Sequence, residues 1–459
     1  MDIDEAAGAR PVTDFDELER AELDPYSGKL FAYTYETGDE KLKKIGREAL
    51  MRFYDKNVLD FTVFKSAIYF EKEVVAFCKK LVNSDAASTG TFTFGGTESI
   101  LLSVKAARDY FLERRGAGTP ELVVPVTIHP SFFKAAQYFG LKVKKTGITG
   151  DKRADVEALN EAITDATALV ALSAPNWPYG TIDPVKQVAE IAKDRGVLLH
   201  VDACVGGFIL PFLEKAGEAV PVYDFRIDGV TSMSMDVHKY GYAPKGASVV
   251  LFRTPELKKH AMYVDVSSPG YVFVNAAVLS SRSVGPMAAA CAVIEHLGEA
   301  GYLNLAKKVL SARRKLLDGL GRIGFESIAP VESSILSLYR PDTDFLGFAS
   351  AMRDKGWHFN LQRGLKEFNI PQNIHLTISP KHDVVAEEFI RDASEAVNEK
   401  SPIKLEDLIG MMEKGDFAGI LKGFDEGKID SNVVPMLLEN LPEDIANEIV
   451  KEIVIGWYK

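Results

Sequence analysis

Residues 232–246 read SMSMDVHKYGYAPKG. A short strand-like run leads directly into a histidine and a lysine, His238 and Lys239, and then into two glycines, a proline and a second lysine, Lys245. Lysine beside a core must lose water from its ammonium group, which is costly, so a lysine in this setting is either a surface residue or a chemical one. The rest of the chain decides between them.

On either side of this stretch, apolar β-rich runs alternate with segments of helical period over most of the first 260 residues. The predicted strands are TFTF near 91, ELVVPVTI near 121, LKVKKT near 141, ALVALSA near 168, VLLHVDA near 197, GVTSMSM near 229 and ASVVLF near 247. Between them ESILLSVKAARDYFLERRG, SFFKAAQYFG, VEALNEAIT and PVKQVAEIAKDRG carry apolar residues at helical spacing. This alternation is the signature of an α/β fold with a mostly parallel sheet. A helix-rich region from about 285 leads to a weaker α/β pattern between about 320 and 400, read as a small C-terminal domain. The expected organisation is an N-terminal segment (1–67), a large domain (68–300), a small domain (301–400) and a tail of amphipathic helices (401–459).

The chain has 459 residues, 46% hydrophobic and 26% charged, which suits a globular protein with one large domain and a smaller one. A net charge of −11 argues against nucleic acid as a partner, because phosphate binding needs a basic face. Cys78, Cys204 and Cys291 are far apart in apolar surroundings without metal-ligand spacing, so they read as buried free thiols in a reducing, cytoplasmic setting. The acidic start lacks a signal pattern, and the most apolar stretch, VLLHVDACVGGFILPFL, is interrupted by His200 and Asp202 and is too short to span a bilayer.

In an open sheet with crossover helices, ligands bind at the carboxyl ends of the strands. Four such positions stand out: Gly95-Gly96-Thr97-Glu98 before a helix, His129, Asp202, and the pair His238-Lys239. Taken singly, each has an ordinary explanation, as a capped helix start, a loop histidine, a helix cap and a surface lysine. Taken together, they supply a phosphate cradle, an aromatic ring that can stack, an acid and an amine. Pyridoxal phosphate requires that set: a lysine to form the Schiff base, an acid to keep the pyridine nitrogen protonated, and backbone amides to hold the phosphate.

The stretches GGTESILLSVKAARDYF, HPSFFKAAQYFGLKV, APNWPYGTIDPV, LHVDACVGGFILPFLEKAG, YDFRIDGVTSMSMDVHKYGYAPKGASVVLF and RDKGWHFNLQR resemble the sphingosine-1-phosphate lyases. These are fold-type I pyridoxal-phosphate enzymes related to the group II amino-acid decarboxylases, and the resemblance runs from about residue 28 to about 400. It implies that Lys239 is the Schiff-base lysine, with His238 as its active-site neighbour. Asp202 would meet the pyridine nitrogen, His129 would stack on the ring, and Gly96 and Thr97 would hold the phosphate. Lys245 would line the substrate entrance, Tyr35 would reach the active site, and the chain would be a homodimer with the active site at the subunit interface.

The implied reaction is retro-aldol cleavage of a 2-amino-3-hydroxy phosphorylated substrate to an aldehyde and an amine, with Lys239, His238 or Tyr35 as the base. A decarboxylase would use the same electron sink, with Arg282 or Lys245 orienting a substrate carboxylate, and a non-catalytic relative would keep the fold for assembly alone. Departures from the lyase pattern fall on the phosphate side. Asp60, in Asn57-Val58-Leu59-Asp60, stands where the lyases carry a histidine, and Phe273 and Asn275 replace a tyrosine and a serine ahead of SSRSVG, where Arg282 is kept. Phe94 replaces a small residue before the glycines, and His375, in PQNIHLTIS, reads as structural.

Overall fold

The computed structural model describes residues 14–60, 62–116, 118–401, 407, 408, 410, 432–439, 441–456 and 458. Three helices, α1 (Phe15–Ala21), α2 (Glu40–Arg52) and α3 (Lys65–Leu81), precede the sheet. Then follow β1 (Thr89–Thr93), α4 (Gly96–Arg115), β2 (Glu121–Pro125), α5 (Ser131–Phe139), β3 (Lys142–Thr146), α6 (Val156–Ala162), β4 (Thr167–Ser173), α7 (Val185–Asp194), β5 (Leu198–Asp202), α8 (Gly206–Lys215), β6 (Ser232–Met235) and β7 (Ser248–Phe252).

All seven strands expected from the apolar runs form, and they join in one sheet of order β1-β7-β6-β5-β4-β2-β3. Only β7 runs against its neighbours, pairing antiparallel with both β1 and β6. The interior strand β4, TALVALS, is buried along its whole length, as a parallel strand covered on both faces must be. At the far edge β3 reads KVKKT, and its lysines blunt an otherwise open hydrogen-bonding edge. Helices cover both faces. On α7, Val185, Val188, Ala189 and Ala192 recur at helical spacing and are the buried positions, which turns the sequence periodicity directly into packing.

Beyond the sheet come α9 (Pro255–Ala261), a hairpin of β8 (Tyr263–Asp265) and β9 (Phe273–Asn275), and the long helix α10 (Gly285–Arg322), kinked at Gly298 where φ is 52°. A second sheet follows, four antiparallel strands in the order β10-β11-β13-β12. Its strands are β10 (Glu326–Ser327), β11 (Ile335–Tyr339), β12 (Asn360–Gln362) and β13 (Asn373–Thr377), with helices α11 (Phe345–Asp354) and α12 (His382–Ala396). Helix α10 packs on both α2 and α12 and crosses residue 300, where the sequence suggests the small domain begins.

His382 at the start of α12 stacks on Phe31 with ring centroids 3.9 Å apart and reaches the Leu30 carbonyl at 3.1 Å, so the N-terminal segment is tied to the second sheet region. Of the expected helical tail, helices are present at Val433–Leu438 and Glu443–Gly456, while residues 402–406 and 411–431 lie outside the described residues. The three cysteines are free and buried. Among the described residues no helix is long and apolar enough to cross a membrane, and no cluster of side chains has the makings of a metal site.

Candidate active site

A cavity of about 250 Å3 opens where five strands of the large sheet end, and most of its lining residues follow directly on those strands. Gly95, Gly96 and Thr97 come after β1, His129 after β2, Ser173, Pro175 and Trp177 from the end of β4, Asp202 and Cys204 from the end of β5, and Asp236, His238 and Lys239 after β6. The sheet thus gathers residues spread over more than 140 positions, the placement expected of an open parallel sheet.

Lys239 Nζ stands 2.9 Å from Asp236 Oδ2. Burial works against its ammonium form, but the charge of Asp236, helped by Tyr35 and Cys204, outweighs burial and raises the lysine pKa above its ordinary value. Burial alone would push the Asp236 carboxyl up, yet Lys239, His238 and a 2.6 Å hydrogen bond from Ser248 Oγ hold it below the usual range. Asp236 is a site residue outside the four strand-end positions marked by the sequence. Its signal was available as an acid at a strand end three residues before the lysine.

His238 accepts the Ala247 N–H on Nδ1 at 3.3 Å, and its Nε2 stands 3.7 Å from Asp236 Oδ2. Burial pushes its pKa down, and so does the same effect at His129. His129 accepts the Ser131 N–H on Nδ1 at 3.2 Å, so its ring hydrogen sits on Nε2.

Asp202 is nearly enclosed, with Oδ1 accepting the Cys204 N–H at 3.0 Å and the Ser234 hydroxyl at 3.3 Å. Among the described residues both of these bonds go to Oδ1, and Asp202 lines the cavity, which leaves Oδ2 for a ligand there. The phosphate end is a helix start: α4 begins at Gly96 with no side chain capping its first turn. Such a helix end offers unpaired N–H groups and a positive dipole to an anion. Glycine is required there, since a Cβ on Gly96 would come within 2.7 Å of Cys204 Sγ and 2.9 Å of Asp236 Oδ1. The Thr97 hydroxyl is 2.9 Å from that of Ser131 at the head of α5. An amine, an open carboxylate oxygen, an imidazole and an uncapped glycine turn therefore fit a molecule bearing an aldehyde, a ring nitrogen and a phosphate.

Tyr35 and Lys245 sit just outside this lining. The Tyr35 ring meets Tyr240 edge-on at 4.9 Å, and Lys245 Nζ lies 5.2 Å from the Tyr35 ring centroid. Burial pushes the Tyr35 phenol up, and Lys239 is near enough to pull it partly back. Burial, then the Lys239 charge, pushes Lys245 down.

The remaining substrate-side residues are not brought to the cavity of their own chain. Asp60 is exposed and accepts the Thr62 N–H and hydroxyl at 2.8 and 2.6 Å. Phe273 is half-buried on β9, and buried Asn275 caps the following turn through the Ala277 N–H. Arg282 is buried, donating to the Phe92 carbonyl. His375 supports the site from the second sheet, with Nε2 3.0 Å from the Trp177 carbonyl.

A doubly wound sheet with a lysine, an acid and an uncapped glycine turn at its carboxyl end defines a pyridoxal-phosphate enzyme. The model of the pyridoxal-dependent decarboxylase conserved domain matches residues 31–316. The chain belongs to that family, and within it groups with the sphingosine-1-phosphate lyases. It is 39% identical over 357 residues to the sphingosine-1-phosphate lyase of Arabidopsis thaliana, covering 76% of this chain and 64% of that one, so it spans about two thirds of that relative's length. It is 32% identical to a probable L-tyrosine/L-aspartate decarboxylase of Methanothermobacter thermautotrophicus over 68% of this chain and 84% of that protein. Among solved structures, the sphingosine-1-phosphate lyase of Burkholderia pseudomallei superposes with a TM-score of 0.80 at 31% identity, covering 89% of this chain and 93% of that one.

Proposed function

We propose that this chain is a carbon–carbon lyase of the sphingosine-1-phosphate lyase type, cleaving a phosphorylated 2-amino-3-hydroxy substrate to an aldehyde and an amine such as phosphoethanolamine. The observation that carries the reading is Lys239 held by Asp236 in the cavity that Asp202 and the Gly96 turn complete. Pyridoxal phosphate, when bound, supplies the electron sink for the breaking bond.

The chain's own groups divide the remaining work. Asp202 would meet the ring nitrogen, the Gly96 and Thr97 turn the phosphate, and His129 the ring face. For the proton of the substrate hydroxyl, three bases compete. Burial keeps the Tyr35 phenol protonated, which makes it a donor. His238 has its Nδ1 lone pair taken by the Ala247 N–H and its Nε2 side turned to Asp236. That leaves Lys239, which would accept the proton as the free amine while Asp236, 2.9 Å away, stabilises the ammonium form that results. Lys245, its Nζ 5.2 Å from the Tyr35 ring at the edge of the site, would meet an anionic substrate group.

A homodimer is part of this reading. Tyr263, Val264, Val266, Tyr271 and Val272 of the β8–β9 hairpin are 54–76% exposed, a run of exposed apolar side chains that a partner subunit would cover. Asp60, Phe273 and Asn275 would then belong to the substrate side of a shared site. The three buried free cysteines support a reducing, cytoplasmic setting.

Product analysis tests the reaction. The purified protein, loaded with pyridoxal phosphate, is offered a phosphorylated sphingoid base alongside a mixture of amino acids. Aldehyde plus phosphoethanolamine is expected. Carbon dioxide plus an amine would make it a decarboxylase, the reading favoured by the 32% identical archaeal relative.

A further inference from the structure

His200 and Asp202 stand two residues apart on β5, and Ser232 and Ser234 two apart on β6, with His200 paired to Ser232 and Asp202 to Ser234. Alternate residues of a strand face one side, so the register sets four polar side chains in one row. All four are buried. His200 Nδ1 is 2.8 Å from Ser232 Oγ and its Nε2 is 3.2 Å from Ser234 Oγ, while Ser234 donates to Asp202 Oδ1 at 3.3 Å.

A serine has one hydroxyl proton. Ser234 gives its proton to Asp202 and so must accept from His200, which puts the ring hydrogen on Nε2 and leaves Nδ1 to accept from Ser232. All three hydrogen bonds therefore point toward the carboxylate. Burial drives the His200 pKa down to about 4, so the ring stays neutral and the direction of the chain is kept at neutral pH. Phe132 closes the row, its ring edge-on to His200 at 5.6 Å.

We propose that His200 and Ser234 are positioning residues: their hydrogen-bond chain, together with the Cys204 N–H, clamps Asp202 Oδ1 so that Oδ2 is presented to the ring nitrogen of bound pyridoxal phosphate. The proposal rests on the reading that Asp202 meets that nitrogen. His200 is not among the residues that line the cavity, and it would act through Ser234.

The test compares holoenzymes of the native chain, Asp202→Asn, Ser234→Ala, His200→Phe and the Ser234→Ala/His200→Phe double variant. It reads the cofactor dissociation constant, the visible circular dichroism of the bound cofactor, and kcat and KM separately. Ser234→Ala is expected to weaken cofactor binding about five- to tenfold and His200→Phe about threefold, with altered dichroism and a lower kcat at nearly constant KM. His200→Phe should add nothing in the Ser234→Ala background.

Native affinity and dichroism in both single variants overturn the proposal. So does an undiminished cost of His200→Phe in the Ser234→Ala background, which would mean packing alone. If Asp202→Asn alters the readouts and the other variants do not, only the positioning chain fails. If Asp202→Asn alters nothing, the assignment of Asp202 fails and the chain with it. Should His200→Phe not fold, Ser232→Ala takes its place at the far end of the row, with the same expected non-additivity and the same overturning result.

Discussion

At the scale of the residue, the Lys239–Asp236 pair governs how the site captures its cofactor. Lys239→Ala should remove the yellow band of the bound cofactor and all turnover; a band retained in that variant would remove Lys239 from its role. Asp236→Asn takes away the charge that raises the lysine pKa and leaves burial to lower it. The lysine is nucleophilic only as the free amine, so the pH above which the apoprotein captures pyridoxal phosphate should fall in Asp236→Asn. Stopped-flow absorbance against pH measures this, and a profile superimposable on the native one would show that Asp236 does not control the amine. Lys239, His129 and Asp202 were legible in the sequence because each follows an apolar run that can only be a strand. Asp236 was passed over because an acid beside a lysine in sequence usually means an ordinary surface pair, and only the buried 2.9 Å contact distinguishes it.

At the scale of the element, the start of α4 is set by its own side chains. Glu98 Oε2 reaches back to the Phe94 N–H at 2.6 Å and Oε1 accepts the Val278 N–H at 2.8 Å, so the turn is fixed without any side chain covering the amides of Gly96 and Thr97. Gly95 and Gly96 differ sharply in what surrounds them. A Cβ on Gly95 would meet only His238 Cε1 at 3.9 Å, whereas one on Gly96 would collide with Cys204 and Asp236. Gly96→Ala should therefore cost about 1–3 kcal/mol of stability and weaken cofactor retention, while Gly95→Ala should do little to stability. Thermal midpoints and cofactor dissociation constants of the two variants decide this; equal behaviour would mean that the turn relaxes freely. The sequence marked this glycine pair as a weak signal. The difference between its two members exists only because β5 and β6 bring Cys204 and Asp236 against one of them.

At the scale of the whole molecule, histidines buried between elements make the fold sensitive to acid. Burial pushes His200 and His375 down to about 4 and His382 down to about 3. Their folded pKa values lie below the unfolded value near 6.5, so the neutral rings stabilise the fold fully above that pH. The contribution is lost as pH falls from about 6.5 to about 4 for His200 and His375 and to about 3 for His382, at up to about 1.4 kcal/mol per pH unit for each ring. The thermal midpoint should drop steadily from pH 7 to pH 5; a flat profile would mean that the rings take up protons without unfolding. His382 joins the N-terminal segment to α12 and His375 joins the second sheet to Trp177, so the loss would loosen the contacts that frame the cavity.

The sequence by itself determined the seven strands, their helices and the carboxyl-end positions of His129, Asp202 and Lys239, because hydrophobic period and strand ends are local properties. Strand order, the direction of β7 and the register of β5 against β6 were decided only by tertiary structure, since pairing joins residues dozens of positions apart. That register makes His200, Ser232 and Ser234 one row with Asp202. Asp60, Phe273, Asn275 and Arg282 lie away from the cavity that their resemblance to substrate residues suggested, because local hydrogen bonds, the β8–β9 pairing and, for Asn275 and Arg282, burial hold them elsewhere in the chain.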